Sequence, residues 1–270
     1  MSKAIDVRDP WITLGECISD AEPVPTLLWG DGIEHLDIGS RALPWLTLFT
    51  HDMQTASSLD LTEESRLYPD GGPFERVIIR LPPSKEQLHA MLSWATHSLV
   101  GARECWLFGH KSEGIRSSEK ILIELGSEVE CLRLKRRTRV LSTSLPPNSA
   151  DLELPNHRKL VRVADTPIEC VSYPGIFAHG RLDQGTASML SFLSRHKSST
   201  RVVDLGCGSG AIGLFLAHRW PESQIKLYDR SALAVIAARE SVSLNNLENV
   251  SVFASPVEAI PREPWHGLIV

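Results

Sequence analysis

The chain has 270 residues, of which 42% are hydrophobic and 23% are charged, and its formal net charge is −5 at pH 7. These values are those of an ordinary globular protein with one or two domains, and the acidic balance excludes a global positive field for nucleic acid. The five cysteines show no C-x-x-C spacing, and no run of about 18 apolar residues occurs. We therefore expect free thiols in a cytoplasmic protein that is neither secreted nor membrane-spanning.

The N-terminal half alternates strand-like and helix-like patterns. Residues 1–24 show no clear period. Four apolar runs then predict strands at 26–29, 45–49, 76–81 and 105–109. Helices are predicted after Ser84, which can cap the first, and at 118–125. This alternation is typical of a parallel sheet with helical crossovers, and it contains no glycine turn. We interpret residues 1–145 as an α/β domain without a cofactor.

A basic stretch follows these elements. If residues 128–140 form one strand, the period of two places four cations on one face: Arg133, Lys135, Arg137 and Arg139. Such a stripe could contact RNA phosphates. The alternative is an edge strand kept soluble by its charges. Both interpretations remain open.

The second half begins after a proline-rich linker at 144–155 and is predicted to form a second domain at 156–270. A hairpin is predicted at 159–173. Residues 182–195 predict a helix capped by Asp183, with Met189, Leu190 and Leu193 on one face. We expect this helix and the preceding Phe177 to form a lid over a ligand. For Phe177 the alternative is core packing.

Residues 201–217, RVVDLGCGSGAIGLFLA, predict a strand, a tight turn and an apolar helix. The turn contains Gly206, Cys207, Gly208 and Gly210. Strand, glycine turn and helix form the opening unit of a doubly wound nucleotide-binding fold. The glycines let a ligand approach the backbone, and the helix offers free N–H groups at its start.

Two carboxylates favour one ligand over others. The glycine spacing also satisfies the dinucleotide fingerprint, but Asp204 at the mouth of the turn would repel a pyrophosphate. It suits a ligand with an ammonium group, such as S-adenosylmethionine. Asp229 ends the next strand-like run, at 224–229, where a carboxylate commonly holds ribose hydroxyls. The alternative is a Rossmann-like domain that binds another nucleotide.

Five segments together carry a resemblance to a known family. They are WLFGHKSEGIRSSEKIL in the first half and PGIF…LDQGTASML, VVDLGCGSG, LYDRSALAVIAARESV and VFAS in the second. Over roughly 76–270 the chain resembles the bacterial 16S ribosomal RNA guanine-N2 methyltransferases. The resemblance implies two Rossmann-like methyltransferase-type α/β domains in tandem. The first would be a degenerate domain that supports folding and RNA docking, and the second would bind S-adenosylmethionine.

The resemblance also implies roles for individual residues. The methionine end of the cofactor would be held by Asp204, Gly206, Cys207, Gly208 and Gly210. The ribose would be held by Asp229, and the adenine would lie at Ala254 and Ser255. The lid segment would comprise Phe177, Asp183, Gly185 and Thr186. The partner would be ribosomal RNA or a ribosomal subunit, with the protein acting as a monomer.

The family carries an Asn-Pro-Pro-aromatic motif after its fourth strand. Residues 267–270 are predicted to begin that strand, where the printed sequence ends. We therefore expect an incomplete C-terminal domain, no catalytic side chain in this chain and no methylation by it alone. No histidine shows metal-ligand spacing, so no metal is expected. The alternatives are a large-subunit enzyme, a methyltransferase for proteins or small molecules, and a non-catalytic RNA-binding or assembly protein.

Overall fold

The computed structural model describes residues 9–36, 43–59, 66–70, 72–98, 104–124, 128–146, 158–255 and 267–270. The helices are α1 (Asp9–Asp20), α2 (Met53–Ser58), α3 (Lys85–Ser98), α4 (Ile115–Glu124), α5 (Gln184–Leu193), α6 (Ala211–Arg219) and α7 (Ala232–Leu244). The first six strands are β1 (Thr26–Trp29), β2 (Leu46–Phe49), β3 (Arg76–Arg80), β4 (Glu104–His110), β5 (Val129–Lys135) and β6 (Thr138–Ser144). The others are β7 (Lys159–Arg162), β8 (Glu169–Ser172), β9 (Arg201–Leu205), β10 (Gln224–Asp229), β11 (Val250–Ala254) and β12 (Leu268–Ile269).

The chain divides into two units. The first comprises Met1–Thr50 and Tyr68–Asn156, and the second comprises His51–Leu67 and His157–Val270. The segment His51–Leu67, which the sequence assigns to the domain 1–145, thus groups with the second unit. Each unit is built on its own mainly parallel sheet, which agrees with the expected pair of methyltransferase-type domains. Within the described residues, no helix is long and apolar enough to cross a bilayer.

The first unit contains a six-stranded sheet in the order β2-β1-β3-β4-β6-β5. The four strands β1 to β4 are parallel, and β6 and β5 are antiparallel to their neighbours. On one face, buried side chains of α3 and α4 pack against alternate strand residues such as Val77 and Leu107. Helix α1 lies against β4, β5 and β6, with Trp11 edge-on to Phe108 at 4.9 Å between ring centroids. Both faces of the sheet are therefore covered by helices.

The structure of the first unit differs from the sequence analysis at two places. The first 24 residues, for which no element was predicted, contain helix α1. The expected single strand at 128–140 is a hairpin, since the chain reverses between β5 and β6 at Arg136 and Arg137. Both turn residues have positive φ angles, 50° and 61°, as the central residues of a type I′ hairpin turn do.

The second unit contains a four-stranded parallel sheet in the order β11-β10-β9-β12. The chain moves outward from β9 through β10 to β11 and then returns to the other side of β9. The change of direction places a topological switch point beside β9, where doubly wound proteins bind ligands at the carboxyl ends of their strands. The predicted hairpin of β7 and β8 is confirmed.

The predicted helix boundaries of the second unit are largely confirmed. Asp183 caps α5, and Ser231 caps α7 by accepting a hydrogen bond from the backbone N–H of Ala234. The prediction for the apolar face of α5 is wrong in one residue. Leu190 and Leu193 are buried, but Met189 is 40% exposed.

Helix α2 joins the second unit through its N-terminal end. The Asp52 carboxylate caps α2 and forms two hydrogen bonds with the guanidinium of Arg230, at 3.0 and 2.6 Å. The backbone N–H of Met53 donates to the carbonyl of Arg230, and that of Ala232 donates to the carbonyl of His51. A segment from the N-terminal half thereby contacts the turn between β10 and α7.

Candidate cofactor site

A side-chain-free turn connects β9 to α6. Gly206, Gly208 and Gly210 have φ angles of 75°, 56° and 90°, in the left-handed region where a β-carbon is disfavoured. The backbone N–H groups of Gly206 and Cys207 donate to the carbonyl of Tyr228 on β10, at 2.8 and 3.0 Å. The turn is therefore held against the neighbouring strand by its own backbone.

The glycines serve two different purposes. A β-carbon added at Gly206 would meet no atom within 4 Å, and one at Gly208 would meet only Ile176, at 3.9 Å. Added β-carbons would lie 2.6 Å from Leu214 at Gly210 and 2.1 Å from Leu227 at Gly213. The first two glycines leave open space beside the backbone for a ligand, and the last two permit close packing of α6 on the sheet.

Asp204 does not line the mouth of the turn as the sequence suggested. It is 3% exposed, and its Oδ2 accepts a hydrogen bond of 3.0 Å from the backbone N–H of Gly213. Burial raises the pKa of Asp204 to about 7; the hydrogen bond from Gly213 opposes this rise, and the negative charge of Asp229 adds to it. The side chain therefore satisfies one of the unpaired donors at the start of α6 from inside the fold.

Asp229 connects the loops that follow three neighbouring strands. Its Oδ2 accepts from the N–H of Gly208 at 2.9 Å, and its Oδ1 accepts from the N–H of Ser231 at 2.8 Å. Its backbone carbonyl accepts from the N–H of Ser255 at 2.9 Å. The carboxylate is only partly buried, so oxygen lone pairs remain available at the edge of the sheet.

The predicted adenine residues lie beside this carboxylate. Ala254 ends β11 directly opposite Asp229 in the strand register, and both Ala254 and Ser255 are partly buried. Phe253 stacks on Tyr228 with ring centroids 5.0 Å apart. The structure thus brings together the glycine turn, Asp229 and the Ala254–Ser255 pair at one edge of the sheet.

Cys207 lies in the same turn and is partly buried. Burial raises the pKa of its thiol, and the charges of Asp204 and Asp229 raise it further. The thiol therefore stays protonated at neutral pH. It is part of the wall of the site and is unsuited to act as a nucleophile.

The predicted lid residues are explained mainly by local structure. The Asp183 carboxylate accepts from the N–H groups of Gly185 and Thr186, at 2.9 and 3.2 Å, and from the Thr186 hydroxyl at 2.5 Å. The Thr186 hydroxyl is the main cause of the lowered pKa of Asp183. Phe177 is 81% exposed, so its core-packing alternative is wrong. Among the described residues, no hydrogen bond links these side chains to the glycine turn.

The four predicted RNA-contacting cations do not share a face. Arg133 and Lys135 of β5 form ion pairs with the α1 acids, including Lys135 to Glu16 at 2.6 Å. Arg139 of β6 lies opposite Leu134, on the other side of the hairpin, and pairs with Glu119 at 3.0 Å. Arg137 lies in the turn. The expected stripe is therefore wrong in geometry, because the stretch is a hairpin and not one strand.

Two contributors to the site were missed by sequence reasoning. Ile176 lies in the segment before α5 and is buried against residues of α7. Its side chain is the nearest to a β-carbon placed at Gly208. Arg230 follows Asp229 and ties its turn to Asp52. Ile176 could have been found from the sequence, because it is an apolar residue within the PGIF segment. The second depends on a contact across 178 residues that no local pattern reveals.

Each half of the chain matches a family model of its own. Residues 167–268 match the methyltransferase small domain, and residues 40–158 match the methyltransferase small domain N-terminal. The chain belongs to the methyltransferase small-domain family. Together the two matches confirm the predicted tandem arrangement of two methyltransferase-type domains.

Two curated proteins are similar to this chain over most of its length. The chain is 34% identical over 197 residues to ribosomal RNA small subunit methyltransferase C of Pseudomonas putida, covering 72% of this chain and 58% of that protein. For the Pseudomonas entomophila protein of the same name, it is 35% identical over 192 residues, which are 70% of this chain and 57% of that protein. The chain thus spans less than three fifths of the length of these curated relatives.

A solved structure shows the same fold. It is a 16S rRNA N2 methyltransferase of T. thermophilus in complex with AdoMet and guanosine. The TM-score is 0.71 at 20% identity, and the match covers 97% of this chain and 73% of that chain. Within the part of the chain that the structure describes, no cluster of three or more His, Cys, Asp or Glu side chains could hold a metal ion.

Proposed function

We propose that the protein binds S-adenosylmethionine at the carboxyl edge of the second sheet and transfers its methyl group to the exocyclic N2 of a guanine in small-subunit ribosomal RNA. The observation that carries the proposal is the arrangement of Asp229 beside two glycines with open space. The names of the similar proteins support the substrate class. The partner is ribosomal RNA or a ribosomal subunit, and the cytoplasm is the corresponding compartment.

The residues present fit the cofactor at both ends of the site. Gly206 and Gly208 leave the backbone accessible, so an amino-acid moiety can lie against the turn without meeting a side chain. Asp229 projects between the loops after β9 and β11 and can accept hydrogen bonds from ribose hydroxyls. Ala254 lies opposite Asp229 in the register, where a small residue leaves room for a planar base.

The same features disfavour a dinucleotide. The helix start that would receive a pyrophosphate already has one donor engaged by the Asp204 carboxylate. Asp229 places a second carboxylate at the turn, bonded to the N–H of Gly208. The Asp229 carboxylate repels phosphate oxygens, whereas a cofactor with an ammonium and a sulfonium group carries the opposite charge.

The cofactor, when bound, supplies an electrophilic methyl group. The protein's contribution is therefore to position the cofactor and the target amine and to exclude water. The turn and Asp229 hold the two ends of the cofactor, and the backbone bonds to Tyr228 keep the turn fixed. The N2 amine of guanine is a weak nucleophile. Alignment of that amine with the methyl group would therefore supply most of the rate enhancement. The target base must first leave any stacked helix.

Nucleoside analysis of the reaction product tests this proposal. The full-length protein is incubated with methyl-labelled S-adenosylmethionine and either small-subunit ribosomal RNA or whole small subunits, and the RNA is then digested to nucleosides. The label is expected in N2-methylguanosine, and Asp229→Asn should reduce its incorporation. Label in another nucleoside, or in a ribosomal protein, would reject the guanine-N2 assignment. Incorporation into neither substrate would reject the activity.

A further inference from the structure

A basic cavity lies in the first unit, away from the glycine turn in sequence. It has a volume of about 440 Å³ and is lined by Lys111, Ile115, Arg116, Leu134, Arg137 and Arg139, which we call the basic groove. Three of these residues belong to the GHKSEGIRSSEK segment, which the cofactor site does not use. The other three come from the β5–β6 hairpin. Four of the six lining side chains are cationic.

The positive charge of this groove is largely uncompensated. Among the described residues, no carboxylate forms an ion pair with Lys111, Arg116 or Arg137, which are all exposed. Arg139 is paired with Glu119 at 3.0 Å. Residues 1–150 carry 16 basic and 21 acidic side chains, counted from the sequence, so a cationic groove contrasts with the net charge of its own half.

The hairpin separates neutralised cations from available ones. Arg133, Lys135 and Arg136 form ion pairs with the acids of α1. Leu134 and Arg139 are directly opposite each other in the register and so project from the other face of the hairpin. That face lines the groove. The ion pairs with α1 therefore leave the groove-facing side of the hairpin unneutralised by that helix.

A backbone hydrogen bond helps to hold the walls of the groove together. The N–H of Lys111 donates to the carbonyl of Arg137 at 2.9 Å, which joins the loop after β4 to the hairpin turn. Arg116 lies in the first turn of α4, a position where the helix dipole disfavours a cation. An anion in the groove would interact favourably with both the helix start and the guanidinium.

We propose that the basic groove binds the sugar-phosphate backbone of the RNA substrate. This proposal rests on the proposed function, which supplies the RNA. Guanidinium groups bind phosphate oxygens in a bidentate manner, and a cavity of this size accommodates a nucleotide unit. Leu134, which is 61% exposed, offers an apolar surface for the ribose or base. Because the recognition is of phosphate, it should depend strongly on salt and little on sequence.

Binding of a fluorescein-labelled ribosomal RNA hairpin, followed by anisotropy at several salt concentrations, tests the groove. The variant R116Q/R137Q removes two unpaired cations. Its matched control, K85Q/K135Q, removes the same charge from the exposed Lys85 and from Lys135, which is paired with Glu16. Each lost phosphate contact lowers the slope of log affinity against log salt by roughly 0.7 to 0.9, so the groove variant should lose about 1.4 to 1.8. Its affinity should fall about tenfold or more.

A charge-conserving variant and the control show whether a change in slope comes from the groove or from net charge alone. R116K/R137K should retain most of the slope because it keeps the charge. The proposal is overturned if the groove variant and its control lower the slope equally, since net charge alone then explains the effect. It is also overturned if the wild-type protein does not bind RNA. The same holds if the wild-type protein binds polyglutamate through the groove in preference to RNA, which would indicate an acidic protein partner.

A parallel titration with S-adenosylhomocysteine separates this proposal from the proposed function. R116Q/R137Q should bind that ligand as the wild type does, because the substituted residues belong to the first unit. If the wild type binds S-adenosylhomocysteine but the RNA slope is the same in both proteins, only the groove assignment fails. If no cofactor binding is seen but the slope falls in the groove variant, the groove assignment stands and the methyltransferase proposal fails.

Discussion

The buried carboxylate of Asp204 should make the second unit less stable as pH rises. Asp204→Asn keeps an oxygen that can accept the hydrogen bond from Gly213, but it removes the ionisable group. The folded pKa of about 7 lies above the unfolded value, so the folded state binds more protons between about pH 4 and pH 7. Stability contributed by this group is therefore lost as pH rises through that window, and the variant avoids the loss.

The size of the effect follows from the two pKa values. With a pKa of 3.8 in the unfolded chain and about 7 in the fold, Asp204 lowers the free energy of unfolding, relative to acidic pH, by about 2 kcal/mol at pH 5 and about 4 kcal/mol at pH 8. The free energy of unfolding of D204N relative to wild type should therefore increase by about 2–3 kcal/mol between these pH values. The control D165N removes a charge from an exposed turn and should show no such trend.

Pulse alkylation of Cys170 after equilibration in urea gives a readout specific to the second unit. This thiol is fully buried in β8, so it reacts only when that unit opens. The pulse is applied at one common pH, since thiol reactivity itself depends on pH. A constant difference between D204N and wild type at both equilibration pH values would show that Asp204 is ionised in the fold, and the burial argument would be refuted.

Three further substitutions test the packing and support of the site. Gly213→Ala places a β-carbon 2.1 Å from Leu227 and should destabilise the second unit by roughly 1–3 kcal/mol in the same urea assay, whereas Gly206→Ala meets no atom within 4 Å and should lose only the cost of its positive φ angle. Equal losses in the two variants would contradict the packing argument. Asp52→Ala removes the cap of α2 and its pair with Arg230, a loss of about 1 kcal/mol for the cap alone, and should accelerate hydrogen exchange in α2. Unchanged protection would mean that other contacts hold the helix.

The glycine turn could be predicted because its determinants are local. A strand that ends in glycines with left-handed φ angles, followed by an apolar helix, specifies the path of the chain without reference to distant residues. The caps at Asp183 and Ser231 are local for the same reason, since each side chain bonds to N–H groups two or three residues later.

The hairpin at 129–144 could not be predicted by the same means. A two-residue turn with positive φ angles normally contains asparagine and glycine, but here it contains two arginines. The turn is instead specified by pairing with β4 and by ion pairs with α1, both of which are tertiary. Helix α1 did carry a signal, because Trp11, Leu14 and Ile18 recur at helical spacing and are all buried.

The direction of a side chain was the main uncertainty within the site. The sequence places Asp204 at the end of a strand, but it does not tell whether the carboxylate faces a ligand or the helix behind it. The contact with Gly213 decides this, and that contact requires the close packing of α6 that Gly213 permits. Asp229 was predicted as a ligand for ribose, but its bonds to Gly208 and Ser231 show an additional role in shaping the turn.

Calorimetric titration with S-adenosylhomocysteine tests the central claim most directly. The wild-type protein should bind it, and Asp229→Asn should lose about tenfold or more in affinity, because each charged hydrogen bond contributes roughly 1.5–3 kcal/mol. Asparagine keeps one oxygen as an acceptor for the backbone, and circular dichroism should show an unchanged fold. D165N should bind as the wild type does. Tight binding of NAD without binding of S-adenosylhomocysteine, or equal affinity for S-adenosylhomocysteine in D229N and wild type, would contradict the assignment of this site.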